Sequence, residues 1–419
     1  MIDITNKSSC CGCAACANTC PQKCITMEED TEGFLYPIVD VALCINCGLC
    51  EKVCHELHPY DNRLPISVIA GQAYDNVIRK NSSSGGLFTL LAGNFIDNEG
   101  VVFGVRFDED WQCKLDYTET LEGLEAFRGS KYVQARTDTA YNDALRFLKE
   151  GRRVLFSGTP CQIAGLKHFL RKDYDNLYTI DVICHGVPSP KVWRMYLEDE
   201  IRNARKGGNS VSLHPNTHFS ERDTLSNADY KIESISFRDK RLGWKKYSFA
   251  LTLAEASADG KKNTVSLSSI HYKNPYMRAF LSNLDLRPSC SACQAKSGRS
   301  NSDITLADCW GADLEHKNLY DDLGTSSILI NTEKGKALLS QIRYKSEQSD
   351  YSLLMEHNAA LVKSYKPHPK REEFFRLVNN GKSDIIHIVK KLLNPPMCKQ
   401  FVKFPVKVIS YIRIHLFSK

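Results

Sequence analysis

The chain has 419 residues, a formal net charge of +6, 42% hydrophobic residues and 25% charged residues. That is enough for two or three domains with a real core, and it excludes disorder, collagen and coiled coil. The charge is small for this length and no dense basic run interrupts the body, so no nucleic-acid partner is expected.

Cysteine is the abnormal quantity, at 17 residues. Met1 to Ser9 lacks the basic-then-apolar pattern of a secretory signal, and no run of about 18 apolar residues suggests a membrane span. This usage predicts metal ligation in a reducing, cytoplasmic setting rather than a disulfide framework.

Residues 1–58 read as one small domain. It contains Cys10-x2-Cys13-x2-Cys16-x3-Cys20-Pro21 and Cys44-x2-Cys47-x2-Cys50-x3-Cys54. This is the bacterial two-cluster ferredoxin spacing. Each iron of a 4Fe-4S cubane needs one soft thiolate. Three cysteines at x2 spacing wrap one loop around three corners, and the fourth comes from the other string. Cys10, Cys13, Cys16 and Cys54 are therefore expected to hold one cluster, and Cys44, Cys47, Cys50 and Cys20 the other. Zinc sites use CxxC pairs but not two such four-cysteine strings. The second string ends in Cys54-His55 instead of Cys-Pro, which touches only local geometry. Cys11 and Cys24 are spare and read as small buried side chains.

A linker, roughly His58 to Pro65, leads into alternating strand and helix patterns. Ser82-Ser83-Ser84-Gly85-Gly86 precedes a helix from Leu87 to Ile96, and Val101 to Val105 is a buried strand. Asp138 to Lys149 is an amphipathic helix, Arg153 to Phe156 a strand, Cys161 to Leu170 a helix and Leu177 to Ile183 a strand. The segment 210–275 is more β-like, with strands at Lys231 to Phe237 and Tyr247 to Leu253. Ser326 to Ile330 and Glu333 to Ile342 form one more strand–helix unit, and beyond about 345 the pattern is helical. The fold class is α/β (α+β): a ferredoxin-type domain fused to a mixed-sheet body. The expected divisions are 1–58, 66–150, 151–345 and a helical extension 346–419. Its end, Lys399 to Lys419, is basic and apolar without an acid. Such a tail suits peripheral contact with an anionic membrane, or a packed terminal segment; Pro405 interrupts any continuous helix.

A second set of cysteines is spread through the body. Cys161 follows Thr159, a plausible N-cap, and Pro160, so it lies in a first helical turn where the dipole favours thiolate. Cys184 ends a strand, and Cys290-Ser291-Ala292-Cys293 is a CxxC. Four thiolates suffice for a third cubane or for zinc; the same residues also read as buried apolar side chains with an incidental CxxC.

The strings Ser83 to Phe88, Gly129 to Gln134, Gly158 to Gln162, Cys184 to Pro190 and Arg299 to Gly311 resemble the coenzyme F420 hydrogenase/dehydrogenase beta-subunit family over roughly residues 1–330. The resemblance implies an FAD-containing iron–sulfur oxidoreductase. It implies that Cys161, Cys184, Cys290 and Cys293 hold a third 4Fe-4S cluster. It also implies that FAD lies against Ser84, Gly85, Gly86, Gly129, Ser130, Lys131 and Tyr132. A Gly-Gly helix start with free N–H groups does bind phosphate. One departure is Cys309, where relatives often carry an aromatic residue; it reads as packing.

The expected function is electron passage between a donor, 4Fe-4S clusters, FAD and a deazaflavin-type or other small-molecule substrate. Lys131 and His185 are the expected catalytic residues, with a structural role as the plainer reading of His185. The alternative is a non-catalytic electron-delivery subunit. Either role needs a redox partner, such as a ferredoxin or a dehydrogenase or reductase subunit.

Overall fold

The computed structural model describes residues 1–205, 230–256 and 262–394. The basic tail from Lys399 to Lys419 lies outside the described residues. The first lobe holds two short helices, Ala15–Thr19 and Leu49–Lys52, and an antiparallel hairpin of β1 (Ile25–Glu29) and β2 (Leu35–Val39).

The body is built on one eight-stranded mixed sheet. Its members are β3 (Ser67–Gln72), β4 (Val101–Phe107), β5 (Cys113–Thr118), β6 (Val154–Gly158), β7 (Leu177–Val182), β11 (Ile304–Asp308), β12 (Ser326–Ile330) and β13 (Lys345–Ser349), in the order β13-β3-β12-β11-β7-β6-β4-β5. The centre, β4-β6-β7-β11, is parallel, and the flanking pairs are antiparallel. Helices cover the central strands, so these read as apolar runs such as Val101-Val102-Phe103 instead of alternating. The sheet crosses the expected division at 150/151, because β4 pairs with β6. The stretch after 345 begins with a strand, not a helix: β13 lies beside β3 at the sheet edge, which short-range periodicity cannot reveal. Helices follow at Tyr351–His357, Arg371–Asn380 and Ile385–Leu393.

A second, antiparallel sheet comprises β8 (Tyr230–Asp239), β9 (Ser248–Ala256) and β10 (Lys262–Ile270). The sequence reading found the first two and missed β10, whose polar Ser-rich run carries little hydrophobic signal. This sheet packs on the helix Pro190–Arg205 through Trp193, which is fully buried against Phe237, Phe249 and Tyr276, with ring centroids 5.1, 6.2 and 5.0 Å away.

The first lobe does not keep a core to itself. Phe34 and Tyr36 share the Trp193 core, while Ala15 and Val53 pack with Phe103, Phe156 and Leu166. Arg194 pairs with Glu29 at 2.6 Å, and Arg371 holds both oxygens of Glu32.

Truncation of Trp193 tests this packing. Trp193→Ala is expected to lower unfolding free energy by about 3–5 kcal/mol, read from the denaturant midpoint.

Candidate functional site

In the first lobe the two cysteine strings fold as copies. The residues on either side of the middle cysteine have left-handed backbones: Gly12 (φ 73°) and Ala14 (φ 60°) around Cys13, Asn46 (φ 55°) and Gly48 (φ 71°) around Cys47. Such turns point successive N–H groups inward and make an anion-binding concavity. A short helix within each string carries its third cysteine, Cys16 or Cys50.

The thiols fall into two neighbourhoods. Burial pushes the Cys16 thiol up to about 12, with Cys10, Cys54 and Cys50 adding to the rise. A hydrogen bond with Cys11 lowers the Cys13 thiol, but burial, Cys16 and Cys54 raise it on balance; burial raises Cys54, and Cys10 adds to it. The other neighbourhood is a small cavity bordered by Cys20, Cys44, Cys47 and Cys50. Cys24 joins it, with its Sγ 3.4 Å from that of Cys20.

The body brings four distant cysteines together. Cys161 stands in the first turn of the helix Pro160–Leu170, which starts with a Thr159/Gln162 capping box and Pro160. Cys184 follows β7, and Cys290 lies in a single 3-10 turn that Cys293 closes. Burial raises the Cys184 thiol, and Cys290, Cys161 and Cys293 raise it further. Burial pushes Cys290 up to about 12 and Cys293 to about 11, and Cys161 adds to both. The expectation that a helix start favours the Cys161 thiolate needs correction. Its thiol is held well above the ordinary value, first by a hydrogen bond with Cys11 and then by burial, which outweigh the dipole.

Cys11 is more than a packing residue. Its Sγ lies 3.0 Å from His55 Nε2 and shares hydrogen bonds with the thiols of Cys13 and Cys161. It joins the two cysteine regions at the lobe–body contact. A close approach permits this: a Cβ on Gly165 would fall 2.9 Å from Cys13 Sγ, so only glycine lets that helix reach the loop.

A cavity of about 500 Å³ opens at the carboxyl ends of β6, β7 and β11. Ligand sites of open α/β sheets collect there. Cys11, Cys161 and Cys184 border it, as do Ser83, Ser84, Gly86 and the run from Gly129 to Gln134. Two segments expected to act together do meet: Ser83 Oγ lies 2.7 Å from Ser130 Oγ and accepts from the Ser130 N–H at 2.6 Å. Ser84 Oγ donates to the Thr325 carbonyl, and the Gly85 N–H to Ser326 Oγ, which pins the loop to β12. Gly86 caps the eleven-residue helix Leu87–Asp97 with φ 88°.

Lys131 borders this cavity, with Nζ donating to the carbonyls of Arg128 and Gly129 at 3.1 and 3.3 Å. Burial lowers its pKa to about 8, partly opposed by Cys113. His185 is at the cavity as well. Its Nε2 lies 2.6 Å from Asn283 Oδ1, and its ring packs on Tyr365 and Phe280. Burial lowers its pKa. Cys309 is buried away from the four-cysteine group, bonded to Ser327.

Other cavity residues had no signal in the sequence reading. Arg238, from β8, pairs with Asp308 and lies between the rings of Tyr247 and Trp310, 4.5 and 5.5 Å from their centroids. The extension supplies His357, Asn358, Ala360 and Tyr365. It also braces the cysteines: Lys296 Nζ ties the Cys184 carbonyl to that of Ala360, and the Cys293 N–H donates to Ser364 Oγ. Long sequence separation hides such contacts.

Residues 151–205 and 211–349 match the family described as the C terminus of the coenzyme F420 hydrogenase/dehydrogenase beta subunit. One chain of the xenon-derivatised F420-reducing NiFe hydrogenase complex from Methanosarcina barkeri is similar at 16% identity, over 80% of this chain and 92% of that one, with a TM-score of 0.42. No curated protein matches the chain. The matched segment carries Cys161, Cys184, Cys290 and Cys293, so over that segment the chain is similar to the beta-subunit family.

Proposed function

We propose that this protein is an iron–sulfur flavoprotein oxidoreductase with three 4Fe-4S clusters and one FAD. Cys10, Cys13, Cys16 and Cys54 hold one cluster, Cys20, Cys44, Cys47 and Cys50 the second, and Cys161, Cys184, Cys290 and Cys293 the third. The donor sets fit: each gathers four thiols, the soft ligands a cubane needs and a hard cation does not, while the neighbouring Glu56 carboxyl bonds to the Cys11 thiol. The observation that carries the reading is one shared cavity, because Cys161 and Cys184 border it together with Ser83, Ser84, Gly86 and the Gly129–Tyr132 segment, while Gly85 does not border it and is bonded to Ser326. Its volume of about 500 Å³ lies in the range of cofactor sites.

When bound, FAD collects single electrons and delivers them in pairs as hydride. The chain's own residues prepare for it. The helix start at Gly86 offers free N–H groups to a pyrophosphate, and the Ser83–Ser130 pair holds the two binding segments in register. Lys131 supplies positive charge to phosphate or to a reduced flavin. His185 is neutral at pH 7; with Nε2–H given to Asn283, its Nδ1 is left to accept a proton. Apolar walls from Phe88, Val105, Phe127, Ile183 and Leu306 limit water. The substrate is a small molecule, of the deazaflavin class or another that accepts or yields hydride.

Cys47 is exposed. This favours electron exchange there with a redox partner, and it keeps the delivery-subunit reading as the second choice. An oxidoreductase turns over alone with an artificial donor and a small oxidant; a delivery subunit needs its partner.

Anaerobic purification with iron, sulfide, zinc and flavin quantified on one sample is the direct test. About twelve irons and one FAD are expected; about eight irons without flavin would sink the body site. Cys161→Ser is expected to lose about four irons and keep the first-lobe clusters. The flavin-free protein gives a pH test. Lys131 is charged below about 8 and neutral above it. FAD affinity should therefore hold at lower pH and fall between about pH 8 and 10 in the native protein, but stay flat in Lys131→Met. A pH-independent affinity in the native protein would remove Lys131 from the site.

A further inference from the structure

Arg287 is 1% exposed and lies between the two lobes of the site. Its Nε donates to the Cys10 carbonyl at 2.8 Å, and Nη1 to Gln134 Oε1 at 3.0 Å. Nη2 donates to the Leu35 carbonyl at 2.9 Å and reaches Cys10 Sγ at 3.7 Å. The guanidinium also lies over the Tyr36 ring, 4.2 Å from its centroid. On the other side, the Arg287 carbonyl accepts from the Cys290 N–H at 3.0 Å. One residue thus touches a cysteine of the first set and a cysteine of the body set.

The charge of Arg287 needs an explanation. None of the acceptors bonded to its guanidinium is a carboxylate; the Glu56 carboxyl feels its charge without bonding to it. A guanidinium cannot shed its proton, and burying one without a bonded anion is unfavourable. Anionic thiolate sets at Cys10 and Cys290 would supply the missing counter-charge.

We propose that Arg287 is a positioning residue that straps the Cys10 loop to the Cys290 segment and sets the reduction potential of the iron–sulfur sites at both. This inference rests on the proposed function. A reduced cluster carries one more negative charge than the oxidised one. A buried cation and an N–H aimed at a ligand sulfur therefore favour reduction and raise the potential. The Cys20, Cys44, Cys47 and Cys50 set lies outside these contacts and serves as an internal reference.

The test is an anaerobic potentiometric titration, followed by EPR, of the full chain and of Arg287→Gln and Arg287→Lys, with iron counted in each. Arg287→Gln is expected to make reduction at least tenfold less favourable at one or both of the contacted sites, a fall of about 59 mV for one electron. The reference site should stay put. Arg287→Lys keeps the charge but loses the fork, so its potentials should fall between the two. Unmoved potentials in an iron-replete Arg287→Gln protein would overturn the proposal, as would equal shifts at all three sites or identical behaviour of the two variants. If Arg287→Gln cannot be loaded with iron, Arg287→Lys decides: potentials equal to those of the native protein overturn the proposal. Iron missing from the native protein would instead sink the functional reading, and this inference with it.

Discussion

A cysteine-rich loop of this kind has little apolar surface with which to build a core, and here it borrows one. The contact between the first lobe and the sheet is the constraint on which the rest depends. Arg287 occupies its centre and satisfies carbonyls of Cys10 and Leu35 that burial would otherwise leave unpaired. Gly165 lets the Cys161 helix approach the Cys13 loop, and Ala15 and Val53 pack into the body. Disruption of that contact would separate the cysteine sets as well as cost stability.

The sheet decides where the second half of the site lies. Three neighbouring parallel strands, β6, β7 and β11, end at the same edge. Cys161 and Cys184 follow the ends of β6 and β7, and Asp308 closes β11. The Ser82–Gly86 loop is held at that edge by a polar framework. Lys240 Nζ donates to the carbonyls of Arg79, Ser84 and Leu323, and buried Arg79 bonds Asp321, Gln72 and the Gly324 carbonyl. Such satisfied networks hold a loop in one conformation, which is what close placement of a cofactor demands.

Legibility followed the range of the interactions. The first-lobe strings were legible because ligand spacing is local: a loop that wraps a cubane must place cysteines at short fixed intervals. The N-cap at Thr159 and the helix start after Gly86 were legible for the same reason. β13 was not, because Lys345–Ser349 is wholly polar and its partner β3 is distant in the chain; β10 was not, because Val265, Leu267 and Ile270 are its few apolar residues in a Ser-rich run. The Cys161 pKa was misjudged since helix-end logic describes an exposed thiol, whereas this one is buried beside Cys11.

The sequence by itself determined the chemical vocabulary of this protein: soft thiolate ligands in two ferredoxin strings, a Gly-Gly helix start, and strands alternating with helices. These depend on residue type and near-neighbour spacing. Only the tertiary structure decided which of the remaining cysteines meet, that Cys11 stands between the sets, and that Arg287 and the 351–365 segment brace them. Residues as far apart as Cys10 and Arg287 come together through the packing of whole elements, and no spacing rule along the chain encodes that distance.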